Sequence, residues 1–132
     1  RLVGSEMCIR DRSQNVHIHA GKAWLIDFQG MRGGRPEYDL ASLVYDGYAR
    51  LEPEQAKELI REWEKISGQP LDDRIFRACA LQRLMQMLGA YANIGHNQGK
   101  TWYLAQIPAG LEHLRKLLPG STLAEPLAAM LA

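Results

Sequence analysis

The arrangement of apolar positions changes character along the chain. From Val16 to Ala20, apolar residues alternate with His17 and His19, the period of a strand with two different faces. Gly21-Lys22 interrupts the alternation as a turn. Ala23-Trp24-Leu25-Ile26 is then an unbroken apolar run that stops at Asp27. Together they predict a β-hairpin whose second strand is buried on both faces. Gln29 to Glu37 is a loop rich in glycine and charge, containing Gly33-Gly34 and Pro36.

Beyond that loop every apolar pattern has helical spacing. Asp39 is placed to cap a helix running through Leu40, Leu43, Val44 and Tyr48. Pro53, a residue accepted in a first helical turn, opens a helix that reaches Gly68. It sets Ala56, Leu59, Ile60 and Trp63 on one stripe. Asp72 and Asp73 open a long helix in which Phe76, Ala80, Leu84, Met87 and Tyr91 recur, ending near Gly95. Pro108 starts another, with Leu111, Leu114, Leu117 and Leu118, and Leu123 to Leu131 is a short last one. The expected fold class is α+β, mostly α: a β-hairpin followed by a helical subdomain, on which the hairpin relies for stability. Trp24, Trp63, Trp102 and the stretch Met85 to Met87 are expected in the core, and His96-Asn97 as a turn.

Composition narrows the function classes. A chain of 132 residues is one domain or part of one. The net charge is +1, so bulk electrostatics draws it neither to nucleic acid nor to an anionic membrane. No basic stripe with interleaved aromatics appears, and no apolar run is long enough to cross a bilayer. Cys8 and Cys79 fit a reducing compartment, with Cys79 a small buried residue of the long helix. The start is charged and lacks a signal-peptide core, so the expected location is cytoplasmic.

Residues 1–12, Arg1-Leu2-Val3-Gly4-Ser5-Glu6-Met7-Cys8-Ile9-Arg10-Asp11-Arg12, resemble the peptide translated from sequencing-adapter DNA. They are read as an extraneous leader, and 13–132 as the natural part. Without the leader the remainder is neutral. The absence of a Met at position 1 fits a fragment joined to something upstream.

Two positions carry candidate chemistry. Asn15 precedes the first strand and Asp27 ends the second. Antiparallel pairing brings those two ends together. A carboxylate and an amide oxygen at one sheet edge suit Mg²⁺, which takes one or two carboxylates with phosphate oxygens and water. From the residues alone, Asp27 is equally a turn-opening residue and Asn15 an ordinary loop residue. His17 and His19 form either a metal pair or an exposed strand face.

The surrounding words are more specific. Ser13-Gln14-Asn15-Val16, then Leu25-Ile26-Asp27-Phe28-Gln29, then Tyr38-Asp39-Leu40-Ala41-Ser42-Leu43 resembles the aminoglycoside phosphotransferase superfamily. There an H-x-D-x-x-x-x-N loop supplies a catalytic base and a metal-binding Asn, an I-D-F strand end follows, and Y-D-L-A opens a helix. Ala80-Leu81-Gln82-Arg83 and the stretch Gly99 to Pro108 are similar to the branch that phosphorylates bacterial cell-wall amino sugars at the anomeric position, the N-acetylmuramate and N-acetylglucosamine kinases among them. The resemblance runs from about Ser13 to about Leu118.

The resemblance implies the C-terminal lobe of a protein-kinase-like fold, with Mg²⁺ and ATP as cofactors and a small sugar as substrate. It implies that Asp27 bridges the metal to the nucleotide phosphates, that Asn15 holds it through the side-chain oxygen, and that Asp39 braces the catalytic-loop backbone. Asp39 acting as a plain helix cap is compatible with that. Arg32 and Arg35 are candidates for touching a phosphate or a sugar acid. Arg83 is a candidate for binding a substrate carboxylate bidentately, and Asp46 for a further substrate contact. The sequence departs from the family at the base: the position five residues before Asn15 is Arg10, and a guanidinium accepts no proton. Asp11 is one residue out of register. The front lobe, with its phosphate-gripping lysine and adenine hinge, is missing upstream of Ser13. The expected partner is therefore that N-terminal lobe of the same protein, and the chain by itself is expected to be inactive. The competing reading is a pseudokinase-like binding or scaffold domain in which Arg10 is genuine.

Overall fold

A computed structural model of the chain describes residues 15–26, 33–47 and 49–131, with side chains as far as Leu127. It bears out a mostly helical α+β chain with a hairpin ahead of its helices. Strands β1 (Val16–His19) and β2 (Lys22–Leu25) pair antiparallel with Val16 opposite Leu25, His17 opposite Trp24, Ile18 opposite Ala23 and His19 opposite Lys22. The turn falls on Ala20-Gly21, not Gly21-Lys22. Both have positive φ, 48° and 72°, the conformation of a type I′ hairpin turn whose twist matches that of the strands.

The expected burial of the second strand fails. Every residue of β2 is exposed; Trp24 keeps 57% of its surface and Ile18, across the ribbon, 72%. An apolar run records that a strand lacks polar positions. Burial needs a covering layer, and among the described residues this sheet has two strands.

The helices follow their start signals. Helix α1 spans Pro36–Val44, so it begins three residues before Asp39, which sits inside the helix and does not cap it. The reason is Pro36: its ring fixes φ at a helical value and needs no N–H partner, while Arg35 before it stays extended at φ −78°, ψ 126°. Helix α2, Pro53–Ser67, starts with the Glu52 backbone N–H donating to Gln55 Oε1 at 2.9 Å, and ends as the Gly68 N–H donates to Glu64 O at 2.9 Å. Its stripe of Ala56, Leu59, Ile60 and Trp63 is only half-buried. Helix α3, Asp73–Asn97, is capped by Asp72, whose Oδ1 accepts from the N–H groups of Arg74 at 2.9 Å and Ile75 at 3.1 Å. After a 3₁₀ segment, Thr101–Gln106, come α4 (Ile107–Leu117) and α5 (Ala124–Leu131).

The chain forms two compact units, one up to Phe76 and one from Arg77 onward. In the first, α1 turns Leu40, Ala41 and Ser42 inward, and Tyr45 packs on Phe76 with ring centroids 6.3 Å apart. Glu37 is buried with them at 8% exposure, and its Oε2 is enclosed without a hydrogen-bond donor. In the second unit, α3 supplies Cys79, Ala80, Leu81, Leu84, Met87 and Tyr91 to a core shared with Leu114 and Leu118. Two glycines permit that packing. A Cβ on Gly110 would lie 2.7 Å from Leu88 Cδ2, and one on Gly95 would collide with the Leu104 side chain. Gly95 is thus a point of close approach and not a helix end, and α3 continues through His96 and Asn97, expected as a turn.

Tryptophan placement also departs from expectation. Trp102 is 49% exposed, edge-on to Tyr103 at 5.1 Å, while Tyr103 leans on buried Tyr91 at 5.5 Å. Trp63 is half-buried. The indole is large enough to pack one edge and leave the remainder in water.

Two substitutions test this distribution. Leu84→Ala, at a fully buried position, is expected to lower unfolding free energy by about 3 kcal/mol in urea denaturation, whereas Ile18→Thr on the ribbon changes it by less than about 0.5 kcal/mol. Glu37→Met removes an enclosed carboxylate while keeping the side chain's length, and should raise stability by about 1 kcal/mol. A loss of similar size would mean that the Glu37 carboxylate is fully partnered in the folded chain.

Candidate functional site

The site grows from the open end of the ribbon. One further backbone bond follows the Val16–Leu25 pair: the Ile26 N–H donates to the Asn15 carbonyl at 2.9 Å. Asn15 is therefore fixed opposite the residue that immediately precedes Asp27. Asn15 is half-buried, and among the described residues no hydrogen bond engages its carboxamide. The backbone oxygen of Asn15 holds the register. Asp27 and Arg32 lie outside the described residues, as does Arg10.

The other expected site residues divide clearly. Arg35 is exposed at the start of α1 and makes no side-chain cap there. Asp39 is half-buried within α1, and Asp46 is buried just beyond its end. Arg83 is half-buried on α3 in the second unit, with its Nε enclosed and unbonded. Gln82, its neighbour, is exposed. His17 and His19 share the exposed ribbon face with Trp24 and Lys22. Among the described residues no three His, Cys, Asp or Glu side chains come together as cation ligands. No helix among them is long and apolar enough to cross a membrane.

Glu37 was missed by sequence reasoning. The signal was present: Glu37 precedes Leu40, Ala41 and Val44 at the spacing of one helix face. A carboxylate two residues into a helix passes for a favourable partner of the helix dipole, which hides that it points inward. The one clearly displaced carboxyl described, Glu112 on α4, is held below its usual range by the hydrogen bond and charge of Lys116, with Nζ 2.7 Å away. That pair is exposed and belongs to no site.

No protein-family model matches the chain. Two curated proteins do. The N-acetylmuramate/N-acetylglucosamine kinase of Neisseria meningitidis serogroup B is 32% identical over 113 residues, covering 79% of this chain and 34% of that protein. The protein of the same name from Pseudomonas aeruginosa is 30% identical over 110 residues, covering 76% of this chain and 32% of its own length. The chain thus spans about a third of the length of the relatives it matches. Over that third the chain is similar in sequence to these N-acetylmuramate/N-acetylglucosamine kinases.

Proposed function

We propose that the chain is the metal- and phosphate-holding lobe of an ATP- and Mg²⁺-dependent kinase that phosphorylates an amino sugar. The observation that carries the reading is the Ile26–Asn15 backbone bond at 2.9 Å, in a chain related to sugar kinases. It holds the backbone of Asn15 opposite the residue before Asp27, and among the described residues no hydrogen bond engages the Asn15 carboxamide. A hard oxygen pair of that kind, completed by phosphate oxygens and water, fits Mg²⁺. When bound, the ion neutralises charge building on the transferring phosphoryl group.

The chain's own residues then have distinct tasks. Asn15 would contribute a neutral oxygen to the ion, and Asp27 the charge. Asp39, half-buried in α1, braces the backbone of the loop before Asn15. Arg35 is exposed and Arg32 is close to it in sequence, so both can reach an anionic group arriving from solvent. Arg10 stands at the base position and accepts no proton. The phosphate-gripping lysine and the adenine hinge would come from a front lobe of the same protein, which accords with the chain spanning about a third of its relatives' length. ATP as donor accords with a cytoplasmic location, and buried Cys79 with a reducing one.

Titration of the ¹⁵N-labelled chain with Mn²⁺ tests the metal assignment. The amides of Asn15, Leu25 and Ile26 should broaden first, Mg²⁺ should reverse the effect, and Asn15→Ala or Asp27→Ala should weaken it about tenfold or more. Broadening that ignores both substitutions removes the metal role. In a coupled assay the purified 132-residue chain is expected to release no ADP from ATP above the blank with N-acetylmuramate or N-acetylglucosamine. Turnover there would show that a proton acceptor is in place despite Arg10.

A further inference from the structure

The ribbon has two unlike faces. In an antiparallel pair, residues directly opposite each other share a face, and successive residues change it. Val16, Ile18, Ala23 and Leu25 therefore lie on one side, every one of them apolar. His17, His19, Lys22 and Trp24 lie on the other. All but Val16 are exposed. The apolar side is the one a covering layer would take, because burying hydrocarbon is favourable and burying unpaired polar groups is not. The imidazole side is the one left to water.

His17 and His19 leave that face of β1 two residues apart, a rise of about 6.7 Å. Among the described residues no hydrogen bond, ion pair or ring contact engages either imidazole. Each ring carries its nitrogens outward from the backbone, and a metal–imidazole bond adds about 2.0–2.1 Å. Two such arms meet across a gap of that size. The pair is also held in register, since the turn at Ala20-Gly21 follows His19 directly. Trp24 and Lys22, opposite the two histidines, add no ligand, because an indole N–H and an ammonium are donors only. The flexible stem of Lys22 lets its charge swing away from an arriving cation.

The ligand type selects the ion. Imidazole suits Zn²⁺, Cu²⁺ and Ni²⁺, whereas Mg²⁺ takes oxygen. Among the described residues no third His, Cys, Asp or Glu completes a cluster. Two ligands do not close a tetrahedral shell, so the other positions go to water and the ion is exchangeable, not structural.

We infer that His17 and His19 form a chelating site on the polar face of the ribbon for one transition-metal cation of the Zn²⁺, Cu²⁺ or Ni²⁺ class. The second imidazole closes on an ion already held by the first, so it acts at high effective concentration, and the pair binds more tightly than a single surface histidine. The site is built on one strand of the first unit and does not depend on the kinase reading. Ligand hardness separates it from the oxygen pair proposed at the Asn15 end.

The test titrates the untagged, isotope-labelled 132-residue chain with Zn²⁺ and follows the ring signals of its four histidines. His17 and His19 should shift along one curve that saturates at one ion per chain, ahead of His96 and His113, which stand singly in sequence. Excess Mg²⁺ should leave those shifts in place. His17→Asn and His19→Asn should each weaken binding about tenfold or more. His17→Asn combined with Ile18→His keeps two histidines in the ribbon but sets them on opposite faces, and should bind no better than His17→Asn alone. The inference is overturned if all four histidines respond together, if either single substitution leaves the affinity within about twofold, or if the combined variant binds like the unsubstituted chain.

Discussion

The hydrogen bond from the Ile26 amide to the Asn15 carbonyl is the constraint on which the candidate site depends. It is the last rung of a short ladder, and the ladder's register is set at the opposite end by Ala20-Gly21, both in left-handed conformation. A slip of one residue would turn every side chain of one strand to the other face. Asn15 would then lose its place next to the residue preceding Asp27. A backbone feature at one end of the ribbon thus sets the strand register at the other.

Much of the local structure was legible in the sequence because it is decided locally. Pro53, Asp72 and Pro108 each start a helix by satisfying or dispensing with backbone N–H groups, and the helices begin at or beside them. Asp39 was misjudged because a stronger starter, Pro36, lies three residues earlier. What the sequence could not convey was cover. Ala23 to Ile26 has the composition of an inner strand and stands in solvent, and the indoles of Trp24 and Trp102 have large exposed areas. Whether a residue is covered depends on which layers assemble around it, and a run of residue types carries no record of that. The site follows the same division. The positions of Asn15 and Arg83 follow from strand pairing and helix phase, while the inward turn of Glu37 depends on what α1 packs against.

Glu37 and Arg83 are the exceptions to an otherwise ordinary distribution of polar groups. Each has an enclosed atom without a hydrogen-bond partner. Among the described residues the other buried side-chain polar atoms find partners, as Ser42 Oγ does by donating to Tyr38 O at 2.8 Å. Local rules broken without visible compensation are expected where a protein is shaped for something besides its own stability. Arg83 breaks the rule with its Nε–H, on a helix face otherwise lined by buried apolar side chains. Glu37 breaks it in the first unit's interior.

The uneven spread of covered side chains has a further consequence. The long helix beginning at Asp73 holds most of the chain's buried hydrocarbon, whereas α2 and both strands have no fully covered residue. Amide protons along the long helix should therefore resist exchange with solvent far longer than those of the ribbon, whose rungs can open without disturbing a core. Geometry at the Asn15 end is correspondingly soft. A cation captured there would act as a clasp, slowing exchange at the very rungs that position its ligands.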